Sequence, residues 1–73
     1  MPRLAPQHYQ TLIKVFRKLG YSINRKEGSH IVMIKENQVV TLSIPNHKEV
    51  AKGTLRSLIR SADLTIDQFI AAI

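Results

Sequence analysis

The sequence predicts an α+β domain with helices packed on one face of a three-stranded antiparallel sheet. Apolar residues keep helical spacing near both ends of the chain, while the middle changes to β-rich and alternating runs. The chain has 73 residues and no cysteine, which leaves room for one core and no disulfide to support another. Residues 1–73 are therefore expected to be a single domain in the order helix, three strands, helix, short helix.

The first helix is carried by Tyr9, Leu12, Ile13, Phe16 and Leu19, which share one helical face, with Gly20 as its stop. Pro6 suits the opening turn of that helix, and Lys14, Arg17 and Lys18 fall mostly on its wet side. His8, at the helix's N-terminal end, reads as a surface residue. Residues 1–5 are expected to be disordered.

Three short strands follow. "YSINR" alternates weakly and "HIVMIK" is β-rich, while "QVVTLSI" sets Val40, Leu42 and Ile44 on one face and Val39, Thr41 and Ser43 on the other. Gly28 lies in the first connection, and "KEN" is short enough to close a hairpin in the second. Pro45 and Asn46 interrupt the pattern. The second helix is expected to start near Gly53 or Thr54, burying Leu55, Leu58, Ile59 and Ala62. "LTIDQF" reads as another helix start, with Thr65 as N-cap, Gln68 closing a capping box and Leu64 stapled to Phe69.

Eleven Lys and Arg against five Asp and Glu give a net charge of +6, which favours a polyanionic partner. The N-terminus lacks the long apolar segment of a secretory signal, and the longest aliphatic run is "IVMI", so a cytoplasmic protein without membrane contact is expected. All the basic residues lie between Arg3 and Arg60; the tail from Ser61 onward carries only Asp63 and Asp67. Lys52, Arg56 and Arg60 recur every four residues and form one edge of the second helix, a stripe able to follow a phosphate backbone or simply to solubilise the surface.

Zinc-ligand spacing, a glycine-rich phosphate loop and a nucleophile elbow are all absent from the sequence, so no metal or cofactor is expected. The histidines remain. His30 opens a strand just after Gly28, with Arg25, Lys26 and Lys35 near in sequence. A neutral imidazole held there can take a proton from a ribose 2′-hydroxyl while cations stabilise charge on the phosphate. The plainer reading, a histidine at the core's border hydrogen-bonded to a loop carbonyl, is the commoner use of such a residue. His47, in the loop after Pro45 and Asn46, has the same two readings.

"GSH" at Gly28 to His30, "IPNH" at Ile44 to His47 and "KGTLRSLIRSADLTIDQF" at Lys52 to Phe69 together closely resemble HicA toxins, the messenger-RNA-cleaving members of HicA/HicB toxin–antitoxin pairs. The likeness covers nearly the whole chain, including "LGY" at Leu19 to Tyr21. It implies a small double-stranded-RNA-binding-like fold and an endoribonuclease with His30 as catalytic residue. It also implies a HicB-type antitoxin that covers the active surface in a hetero-oligomer. His47 matches a histidine that recurs in the family pattern and is a secondary catalytic candidate. On this reading the substrate is messenger RNA, cut without a metal, and Lys26, Ser29, Lys35, Lys52, Arg56 and Arg60 are candidates to hold it. The alternatives are a non-catalytic RNA-binding module of the same fold, and a DNA-binding or structural protein that uses the basic face for a partner.

Overall fold

In a computed structural model, which describes residues 4–73, the elements run α1 (Tyr9–Lys18), β1 (Tyr21–Glu27), β2 (His30–Lys35), β3 (Thr41–Pro45), α2 (Lys52–Ser61) and α3 (Ile66–Ala71). The strands form one antiparallel sheet in the order β1-β2-β3. This is the α+β architecture and element order that the sequence predicts.

One face of the sheet is apolar because the pleat sets alternate residues together. Tyr21, Ile23, Ile31, Met33, Leu42 and Ile44 meet Leu12, Val15 and Phe16 of α1, Leu55, Leu58 and Ile59 of α2, and Phe69 of α3 in one cluster. At the centre, Phe16 meets Tyr21 edge-on with ring centroids 5.7 Å apart and lies 6.0 Å from Phe69. Burial first, then the Asp63 carboxylate, raises the Tyr21 hydroxyl above its ordinary pKa. Among the described residues no helix is long and apolar enough to cross a membrane.

Helix ends follow local chemistry. Gly20, at φ +99°, takes the left-handed position after α1, and its N–H bonds the Arg17 carbonyl. At the end of α2 the same position falls to Asp63, at φ 57°; its N–H bonds the Arg60 carbonyl and that of Leu64 bonds Ile59. This pair of bonds is a Schellman closure, and it delivers the chain directly into α3. There Thr65 and Gln68 form the predicted capping box, with bonds of 3.1 and 2.8 Å. Thr65→Ala is expected to cost about 1 kcal/mol, which in a domain this size lowers the thermal midpoint by about 4–8 °C. An unchanged midpoint in a thermal melt would show that α3 is held by Phe69 alone.

Several expectations need correction. Leu4 is only 8% exposed and joins the core, and Gln7 pairs with Val50 through bonds of 3.3 and 2.7 Å, so the described part of the opening segment is anchored. The expected disorder of residues 1–3 lies outside the described residues. β3 begins at Thr41; Val39 is fully exposed and Val40 is 37% exposed, so Val40 does not share the burial of Leu42 and Ile44. The turn after Lys35, with Asn37 at φ 64°, uses these residues as connection. α2 starts at Lys52, slightly before the expected Gly53 or Thr54.

One irregularity redirects side chains. The β1–β2 register pairs Ile23 with Met33 and Arg25 with Val32, leaving Asn24 as a bulge. Strict alternation would put Arg25 beside Ile23 on the helix-covered face. The bulge instead gives that face to Lys26, which pairs with Ile31, and sends Arg25 to the open face.

Candidate functional site

The site is built where β2 begins and β3 ends. His30 pairs with Glu27 on one side and Pro45 on the other, so its backbone is fixed within the sheet. Gly28, at φ +55°, makes the two-residue turn before it, a position that a side chain would strain although a Cβ there meets nothing within 4 Å. The His30 side chain is exposed, and its Nδ1 lies 3.5 Å from Ser29 Oγ.

The pairing continues past the strand ends. The Asn46 N–H donates to the Ser29 carbonyl at 2.7 Å, tying the loop after β3 to the turn that carries His30. His47 is held on both sides: its N–H donates to the Pro45 carbonyl at 2.9 Å, and its carbonyl accepts from the Tyr9 N–H at 3.2 Å. Val50 closes the loop through its bonds to Gln7. A loop carrying a histidine is thus pinned at four points by backbone hydrogen bonds.

These constraints enclose an open cavity of about 450 Å³ lined by His30, Ser43, His47, Glu49 and the start of α2 at Ala51 and Thr54. The two histidines, 17 positions apart in sequence, share its wall. Glu49 is a member that the sequence reading missed. A lone glutamate in "NHKEV" has no motif around it, and only the loop's closure against β3 brings it to the cavity that His30 lines. α2 adds polarity of another kind: its N-cap is Ala51, with no side-chain cap bond, so the first N–H groups of the helix are left without side-chain acceptors. Imidazoles, a carboxylate and a helix N-terminus on one wall can exchange protons with a phosphodiester and hold its charge.

The other predicted residues divide among three places. Ser29 and Lys52 stand beside the cavity, one preceding His30 and the other following Ala51. Arg56 and Arg60 continue along α2 to a smaller hollow against Leu64 and Ile66. Lys26 and Lys35 are on the helix-covered side of the sheet, opposite to His30. Lys35 lies at the far end of β2, roughly 17 Å along the strand, with its Nζ 5.7 Å from the Tyr21 ring centre. Arg25 is engaged with Glu27 in an ion pair on exposed side chains. His8 caps α1, its Nδ1 accepting the Gln10 N–H at 3.1 Å, which gives the expected surface residue a structural task.

Comparison with known proteins gives one assignment. No curated protein matches the chain. The family model described as the HicA toxin of bacterial toxin–antitoxin matches residues 9–64, from the first residue of α1 into the α2–α3 connection. That span contains His30, His47 and Glu49 together with every strand. The chain belongs to the HicA toxin family, as the toxin of a toxin–antitoxin system, and has an antitoxin for its partner.

Proposed function

We propose that the protein is an endoribonuclease that cuts messenger RNA in the cavity shared by His30 and His47, without using a metal, and that a HicB-type antitoxin silences it. The observation that carries this reading is that two histidines, one on β2 and one in the loop after β3, line one cavity beside the unspent N–H groups of α2.

His30 acts as the base. It takes the proton from a ribose 2′-hydroxyl, the 2′-oxygen forms a bond to phosphorus, and the bond from phosphorus to the 5′-oxygen breaks. His47, protonated, gives its proton to that leaving oxygen. The products are a 2′,3′-cyclic phosphate and a 5′-hydroxyl end. Charge gathering on the phosphate is met by the α2 N-terminus and Lys52, while Arg56 and Arg60 hold the chain farther along. Glu49, which lines the same cavity, accepts an imidazole N–H on this reading and fixes a ring's orientation. The antitoxin competes for this same basic surface.

The test uses purified protein with EDTA and a single-stranded oligoribonucleotide, compared with the same oligonucleotide carrying one 2′-deoxy sugar at its cleavage position. Cutting of the first with a cyclic phosphate end, and none at the deoxy position, is the expected result. Equal cutting of both would remove the 2′-hydroxyl from the mechanism and His30 from its role as the base. Tight binding without any cutting favours the RNA-binding module instead.

A further inference from the structure

A second cavity, of about 410 Å³, runs between α1 and β1 on the opposite side of the sheet from the His30 side chain. Its size falls within the roughly 300–1,000 Å³ usual for ligand sites. Ile13, Ile23 and Ile31 make an apolar floor, with the Tyr9 ring at one end. Lys14, Arg17 and Lys26 stand around it, all exposed, and no acidic side chain lines it. Among the described residues the ion pair recorded is Arg25–Glu27, so these three cations are not neutralised within the chain.

We propose that this groove is a subsite for a single-stranded nucleotide adjoining the one that is cut, its base against Tyr9 and the isoleucine floor and its phosphates on Lys14, Arg17 and Lys26. The inference rests on the RNA-cleaving reading above. Cations alone would suit any phosphate backbone, but an apolar floor with an aromatic ring suits an unstacked base, which duplex RNA does not present. The groove also ends where such a chain needs it. Lys26 and Ile31 pair with each other next to the pair of Glu27 and His30, so groove and catalytic cavity flank the same Gly28–Ser29 turn. Nothing lies within 4 Å of a Cβ built on Gly28, which leaves space beside that turn. At this same end, the Tyr9 N–H is bonded to the carbonyl of His47, whose neighbour Asn46 is bonded to Ser29 of the turn. The bulge at Asn24 is what makes the site, because it turns Lys26 into the groove.

The experiment uses the full chain carrying His30→Ala, so that RNA stays intact, and a fluorescein-labelled single-stranded oligoribonucleotide with 4-thiouridine. Ultraviolet crosslinks are expected on α1 or β1 within the groove. Arg17→Ala and Lys26→Ala, added to that background, are each expected to make the slope of log affinity against log salt shallower by about 0.7. Tyr9→Leu, which keeps an apolar side chain, is expected to weaken binding about tenfold. Circular dichroism and thermal melting check that each variant is folded. Crosslinks confined to the His30 cavity, with unchanged salt slopes, overturn the proposal. So does unaltered RNA binding by groove variants that have lost their antitoxin, because the groove then belongs to the protein partner. An intact chain that binds through the groove but does not cut RNA supports the subsite while defeating the cleavage reading; cutting by the chain with His30 present that is unchanged by the same three groove substitutions does the reverse.

Discussion

Replacing His30 by alanine is expected to slow RNA cleavage by about 10²- to 10⁴-fold, the usual contribution of a positioned general base. That range is about 2.7–5.5 kcal/mol of transition-state stabilisation. The fold should not notice. His30 is exposed, its recorded side-chain contact is Ser29 Oγ at 3.5 Å, and its pairing within the sheet uses backbone groups that alanine also has. Stability is therefore expected to stay within about 0.5 kcal/mol of the parent. RNA affinity is expected to persist, because Lys52, Arg56 and Arg60, the groups on α2 proposed to hold phosphates, remain. The comparison requires initial cleavage rates, a denaturation curve and a binding isotherm on the same preparations. A folded His30→Ala protein that cuts at the parent rate would end the assignment of His30 as base. His47→Ala, tested alongside, separates the two histidines: a second acid–base group gives a further large loss, whereas a loop histidine held only by its backbone gives little.

The contrast between legible and hidden features has a physical pattern. α1 is readable because Tyr9, Leu12, Ile13, Phe16 and Leu19 keep helical spacing and Gly20 takes the left-handed position after the helix. α3 was readable because its capping box is local chemistry over four residues. What the sequence could not show depends on closure between distant segments. Leu4 is buried in a segment that is held by the pairing of Gln7 with Val50, 43 positions away. Val39 and Val40 have strong strand propensity, but the connection from β2 to β3 claims them. The bulge at Asn24 has no marker in "YSINRKE", yet it decides that Lys26 faces α1 and Arg25 faces solvent. The cations near His30 in sequence are consequently not a ring of charge around it.

The candidate site follows the same logic. "GSH" and "IPNH" could be noted one at a time, and their order resembled a family, but their sharing of one wall requires the Asn46–Ser29 bond and the anchoring of His47 on Tyr9. Glu49 becomes visible only after that closure. The α2 N-terminus was expected to begin one or two residues later; starting at Lys52 with an alanine N-cap is what leaves its N–H groups without a side-chain acceptor.

Phe16→Ala should abolish toxicity by a different route, and its separation from His30→Ala tests whether site and scaffold are independent. Phe16 is fully buried, and its ring joins α1 to β1 through Tyr21 and to α3 through Phe69. Truncating such a ring costs about 3–5 kcal/mol, part from lost burial and part from the cavity left behind. At roughly 0.05–0.15 kcal/mol per residue, a domain of this length has about 4–11 kcal/mol in total. The loss is therefore a large fraction of what holds the fold. Urea denaturation should show a midpoint displaced far downward with an unchanged slope, and Phe16→Leu, which retains most of the apolar contact, should fall between. In cells the Phe16→Ala chain should be depleted by proteolysis, whereas His30→Ala should accumulate. Per folded molecule, however, Phe16→Ala should cut RNA at the parent rate when assayed cold or with bound antitoxin freshly removed, since no atom of the His30–His47 cavity comes from Phe16. A folded Phe16→Ala protein with a greatly reduced rate would mean instead that core packing sets the distance between the two histidines, making the scaffold part of the chemistry.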